Sequence, residues 1–211
     1  MNNLAVTPNI ANALQQYGVL AGNVVEAHPQ SFYDFQTYAT AGTKLSYSFF
    51  QNQIGSGGYT AGTTNMPSNG QFPNPQNFLW TGIEVIFISG QTVSSAAATE
   101  GLSIADDLYK IANAKAYVNF IINTKEYFRE CPLGACPAQY GLGGGIGTGY
   151  PAVVASFAHT VGEMKRTSGQ LIPSNTSFIG NIVFDATTAT PSGIDGRIGM
   201  KIHGIWYQLA Q

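Results

Sequence analysis

The sequence predicts an all-β sandwich with one short internal helix and an N-terminal arm. Three observations predict it. From Phe32 onward, apolar and aromatic residues repeat with a period of two. Clusters of Gly, Pro, Asn and Ser punctuate these runs. Only one internal segment repeats its apolar residues at helical spacing.

Residues 1–30 read as the arm, with helical character from Ile10 to Tyr17 between Pro8 and Gly18. In the next segment Tyr33, Phe35 and Thr37 alternate with Asp34 and Gln36. Ala41-Gly42 then turns the chain into Leu45, Tyr47 and Phe49, which predicts a β-hairpin. Ser56 to Gln76 is a Gly-, Asn-, Ser- and Pro-rich loop, longer than the roughly 15 residues beyond which loops tend to carry function. The clearest strand runs from Phe78 to Ile88, with Leu79, Thr81, Ile83, Val85 and Phe87 on one face. Its other face is apolar apart from Glu84, so both faces are expected to be covered.

Ser103 and Asp106 form a variant capping box, and Asp106 and Asp107 suit a helix N-terminus. Ile104, Leu108, Ile111 and Ala112 give the helix its apolar stripe, and Lys110 and Asn113 mark its end. Strands resume at Ala116 to Ile122, turn at Asn123-Thr124-Lys125 and return through Tyr127 and Phe128. Gly141 to Gly149 holds six glycines in nine residues. Past Ala152 to Val161 come two late strands, Phe178 to Phe184 and Ile198 to Leu209. In the last, Ile198, Met200 and Ile202 share one phase and Ile205, Tyr207 and Leu209 the other. That slip predicts a β-bulge at His203-Gly204. With no repeat and no dividing linker, residues 31–211 read as one domain of about eight strands, most naturally a jelly roll.

Composition bounds the function. Asp, Glu, Lys and Arg make up 9% of the 211 residues, against about a quarter in an ordinary soluble domain. Asn, Gln, Ser, Thr, Gly and Tyr take their place, and these can be buried between subunits at lower desolvation cost than ions. Net charge is −2, and residues 1–30 hold no Lys or Arg and one acid, Glu26. Direct nucleic-acid binding through the arm is therefore not expected. Apolar runs such as Ile83 to Ile88 are too short to span a membrane as a helix. The N-terminus lacks the basic flank and apolar core of a secretory signal, so folding in the cytosol is expected.

Little in the sequence announces chemistry, so neither catalysis nor a cofactor is expected. His28, His159 and His203 have no second His or carboxylate at ligand spacing. No Gly-x-Ser-x-Gly elbow occurs, and a Ser-His-acid triad would have to be assembled from distant positions. The glycine run lacks the Lys-Ser/Thr ending of a phosphate loop. Asp106 and Asp107 point about 100° apart on a helix, which suits the helix terminus better than a catalytic dyad. Asp185 and Asp195 match no calcium spacing and suit Asx turns. Trp80 and Trp206 lie in strand patterns and read as core. Cys131 and Cys136, in Cys-Pro-Leu-Gly-Ala-Cys-Pro, are either a small loop disulfide or two free thiols.

Three segments together carry a family resemblance. They are Phe35 to Gln51 leading to Gly55, Thr64 to Phe78 running into Thr81–Phe87, and Asn123 to Phe128 followed by Pro132-Leu133 and the glycine run. This succession resembles the jelly-roll capsid proteins of tailless icosahedral bacteriophages and their metagenomic relatives, over about residues 32–150. The resemblance implies a single upright jelly roll, shorter than the commoner double one, whose copies form capsomers. It implies copies of itself and other capsid proteins as partners, and a place in the virion after assembly in the host cytoplasm. The arm would lie along an adjacent subunit or an internal membrane. Loops around Asn65, Met66 and Pro67, and around Gly143, Gly144 and Gly145, would adapt to non-identical neighbours. A carbohydrate-binding sandwich and a filament or surface-layer subunit are the other expectations compatible with this composition.

Overall fold

The computed structural model describes residues 25–90, 106–133 and 159–209. Their strands are β1 (Val25–Tyr38), β2 (Ser46–Phe49), β3 (Asn77–Ile88), β4 (Ala116–Ile122), β5 (Lys125–Pro132), β6 (His159–Ile172), β7 (Phe178–Phe184) and β8 (Gly196–Leu209). Two antiparallel four-stranded sheets result, in the orders β1-β8-β3-β6 and β2-β7-β4-β5. The pairing is nested: β1 with β8, β2 with β7, β3 with β6 and β4 with β5. Among these strands only β4 and β5 are consecutive neighbours in one sheet; every other step changes sheet.

The sheets pack as a sandwich around an aromatic core. Phe32, Tyr38, Trp80 and Phe87 from one sheet meet Tyr47, Phe120, Phe178 and Phe184 from the other. Trp80 lies 4.5 Å from Phe120, and its indole N–H donates to the Gly82 carbonyl at 2.6 Å, so the ring is buried without an orphaned donor. Trp206 packs on Phe32 at the margin of this core.

β1 and β2 do not form the hairpin that their alternation predicts. The turn itself is present: Gly42 N–H donates to Ala39 O at 2.8 Å, and Gly42 has φ 60°. A Cβ there would sit 2.1 Å from the Thr188 carbonyl oxygen, so only glycine fits. The turn carries the chain across to the other sheet, where Tyr47 stacks on Tyr38 at 5.6 Å. One edge of β1 is occupied along its whole length by β8, the loop after β2 bonds the other edge at residues 31–35, and β2 pairs with β7 instead. β1 also starts at Val25, so residues 25–30, which pattern with the arm, are strand.

The bulge lies in β3 and not in β8. The register of β8 on β1 is unbroken from Val25↔Leu209 to Tyr38↔Gly196. Relative to β8, however, β3 inserts an extra residue between Trp80 and Gly82, opposite His203-Gly204. The core face of β3 is therefore Phe78 and Trp80, then Ile83, Val85 and Phe87. Leu79 points the other way and joins Leu171, Tyr207 and Ile205 in a second cluster on the outer face. The apolar residues of β8 change phase because they serve the core up to Ile202 and this outer cluster beyond it.

Helix α1 covers residues 106–112 among those described and packs Leu108 and Ile111 into one end of the core. Asp107 is buried rather than serving only the helix terminus. It accepts the Ser89 hydroxyl at 2.6 Å and the Ser192 N–H at 2.8 Å, tying the helix to two loops. Asp195 likewise reaches across, accepting the Thr40 N–H at 2.8 Å instead of closing a local turn.

Candidate functional site

The outer face of the β1-β8-β3-β6 sheet is built in rows by the register. Phe32, Asp34 and Tyr38 of β1 point to the core, so Ser31, Tyr33, Phe35 and Thr37 point out. Opposite them on β8 stand His203, Lys201, Gly199 and Arg197, and beyond these on β3 stand Gly82, Glu84, Ile86 and Ile88.

One polar chain crosses three strands. Ser31 Oγ lies 3.0 Å from His203 Nδ1, His203 Nε2 lies 2.8 Å from Glu84 Oε2, and Lys201 Nζ lies 3.6 Å from the same oxygen. A carboxylate only accepts, so Nε2 carries a proton. In the neutral ring Nδ1 then accepts from the Ser31 hydroxyl. A hydroxyl, an imidazole and a carboxylate in line is the arrangement that activates a serine in acyl-transfer enzymes. Here Ser31 sits in mid-strand rather than at the apex of a strand-to-helix turn. No local pattern joins residues 31, 84 and 203; only cross-strand register brings them together.

Phe35 divides this face. Its ring lies over Gly199, where a Cβ would come within 2.3 Å of it. The Arg197 guanidinium sits 5.8 Å from the ring centroid and donates to Gly62 O at 3.4 Å. On one side of Phe35 is a groove of about 540 Å³ bounded by Ser31, Tyr33, Gly62, Asn65 and Lys201. On the other is a groove of about 420 Å³ bounded by Gln36, Thr37, Lys44, Gly58 and Tyr59. Lys44 Nζ donates to Gln36 Oε1 at 2.8 Å.

The loop between β2 and β3 forms the wall of both grooves and is pinned. The Asn65 side chain accepts the Tyr33 N–H and donates to Ser31 O, both at 2.8 Å. Phe35 N–H donates to Thr63 O at 2.8 Å, and Tyr33 OH donates to Ala61 O at 2.6 Å. Met66 is fully buried in the core with Phe72, and Pro67 is half-buried. Asn65 and Met66 are thus engaged within the subunit, Asn65 on β1 and Met66 in the core. Cys136, Gly143, Gly144 and Gly145 lie outside the described residues, as does the side chain of Cys131.

The outer face of the other sheet differs. Its two central strands point out Tyr117, Asn119 and Ile121 from β4 and Ile179, Asn181 and Val183 from β7, all half-buried and none charged. Ser48 donates to Asn181 Oδ1 at 2.8 Å and Asn181 donates to Asn119 Oδ1 at 2.9 Å, a ladder across three strands.

Behind the grooves, on the core side of β1, Asp34 accepts the Phe50 N–H at 2.7 Å. Burial pushes its carboxyl up to about 6, with backbone N–H groups opposing the shift. Among the described residues no group of three or more His, Cys, Asp or Glu side chains could hold a metal ion. No protein-family model matches the chain, and no curated protein sequence matches it.

Proposed function

We propose that the chain is a structural subunit of an icosahedral phage capsid, a single jelly roll that assembles through lateral contacts with its own copies and other capsid proteins in the host cytoplasm. The observation that carries this reading is the outer face of β4 and β7. Tyr, Ile, Val and Asn without a single charge make a surface that is cheap to bury against a neighbour and still hydrated when free. The nested pairing of first strand with last, second with seventh, third with sixth and fourth with fifth supports the jelly-roll topology, since winding one long hairpin into two layers produces that order. The role requires no catalysis, and the Ser31–His203–Glu84 chain serves it as a cross-strand tie.

The test is mass by light scattering at assembly-range concentrations, with negative-stain images of the same sample. Closed shells, or stable trimers and hexamers, are expected. Open filaments would favour the surface-layer or filament reading instead. A monomer at every concentration and in every buffer would overturn self-assembly by this chain alone and favour a ligand-binding sandwich.

A further inference from the structure

We propose that the two grooves flanking Phe35 form one binding site for an acidic oligosaccharide. The site goes beyond the capsid reading and does not depend on it. Both volumes, about 540 and 420 Å³, fall in the range of small-molecule sites, roughly 300–1,000 Å³. They share Phe35, so a ligand that fills both must pass over that ring. A chain of at least two sugar units has the required length and an apolar ring face for Phe35.

Aromatic and amide groups alone would suit a neutral glycan; the charges make the choice. The chain has nine Lys and Arg residues and a net charge of −2. Three of those cations, Lys44, Arg197 and Lys201, surround these grooves. Lys201 shares Glu84 with His203. Lys44 and Arg197 are held by neutral oxygens, Gln36 Oε1 and Gly62 O, and among the described residues neither has a carboxylate partner. A sugar carboxylate reaching either one gains a charge-assisted hydrogen bond with no internal ion pair to break. Three cations are too few to hold a nucleic acid, whose affinity grows with the number of phosphates neutralised. The hydrogen bonds of Asn65, Thr63 and Tyr33 fix the wall in advance, which lowers the ordering cost of binding.

The experiment titrates unassembled full-length chain with tetragalacturonate, its neutral methyl ester and 3′-sialyllactose, by calorimetry at low and high salt. At least one acid is expected to bind about tenfold more tightly than the ester, with the difference shrinking as salt rises. Lys44→Gln with Arg197→Gln should erase that preference by bringing the acid down to the affinity of the ester. Both side chains are exposed, Lys44 lying over the Tyr47 ring and Arg197 over Phe35, and an unchanged thermal melt checks that the pair stays folded. Phe35→Ala should abolish binding of all three. Equal affinity for acid and ester, no binding of any saccharide at millimolar concentration, or tighter binding of a ten-nucleotide oligothymidylate would overturn the proposal. Because the protein is unassembled, failure here leaves the shell reading standing, and failure to assemble leaves this one standing.

Discussion

Asp34 shows how a residue's face decides its chemistry. In the sequence it is the polar alternate between Tyr33 and Phe35, and alternation ordinarily sends the polar residue out. Here the aromatics point out and the carboxyl points in, with no exposed surface. Its folded value of about 6 lies above the ordinary 3.8, so folding favours the protonated form. That contribution is fully present below 3.8 and is lost as pH rises through about 6. A shift of two pKa units is worth about 3 kcal/mol. Oδ1 has no partner among the described residues, so it can take the proton while Oδ2 keeps the Phe50 N–H. Asp34→Asn keeps that acceptor and cannot titrate. Denaturant unfolding at pH 7.5 and pH 4 should therefore show the parent gaining about 2–3 kcal/mol on the variant as pH falls. Parallel pH profiles for the two proteins would mean that Asp34 is not desolvated. The Ser31–His203–Glu84 chain is illegible for a related reason: each residue is unremarkable until strands from three parts of the sequence lie side by side.

At the scale of elements, strands with strong alternation are legible and their partners are not. β4, β5 and β7 follow the predicted segments, and the turn at Asn123 is where the pattern puts it. β1 and β2 alternate as a hairpin would, yet pairing is decided by which edges remain free. β6 goes unseen because His159–Ile172 lies at a sheet edge and mixes charged, polar and glycine residues. The bulge is legible in position but not in strand, since a phase slip looks the same whether a strand bulges or changes the layer that it serves. The loop after β2 reads as free from its composition, but it works as an added edge for β1. Residues 31, 33 and 35 direct backbone groups to it, and Pro29, in the same phase, brings no N–H to that edge. Asn65→Ala removes two of these hydrogen bonds and leaves Tyr33 N–H without its partner. A loss of about 1–3 kcal/mol in unfolding free energy is expected, with faster hydrogen exchange at Tyr33 than at residues paired to β8. Unchanged exchange at Tyr33 would show that the amide does not hold the edge.

At the scale of the molecule, a two-sheet sandwich is legible because binary patterning and turn spacing survive any choice of partners, whereas the nested order rests on long-range pairs that no local window contains. The same scale holds the question of what residues 1–24 do. They precede β1 entirely, so a chain beginning at Val25 keeps every described strand, the full register of β1 on β8 and the loop on the opposite edge. Among the described residues, the main core cluster is supplied by Phe32 and residues after it. On the capsid reading, the charge-poor arm serves contacts between subunits, so its removal should act on assembly and not on folding. Deleting residues 1–24 is expected to leave the melting temperature within a few degrees, a shift equivalent to less than about 1 kcal/mol for a domain of this size. The same deletion should reduce or abolish shells in light scattering and negative stain. If the truncated chain unfolds, the arm belongs to the β core. If it stays folded and assembles as the full chain does, lateral burial of faces such as that of β4 and β7 is sufficient, and the arm must serve another contact.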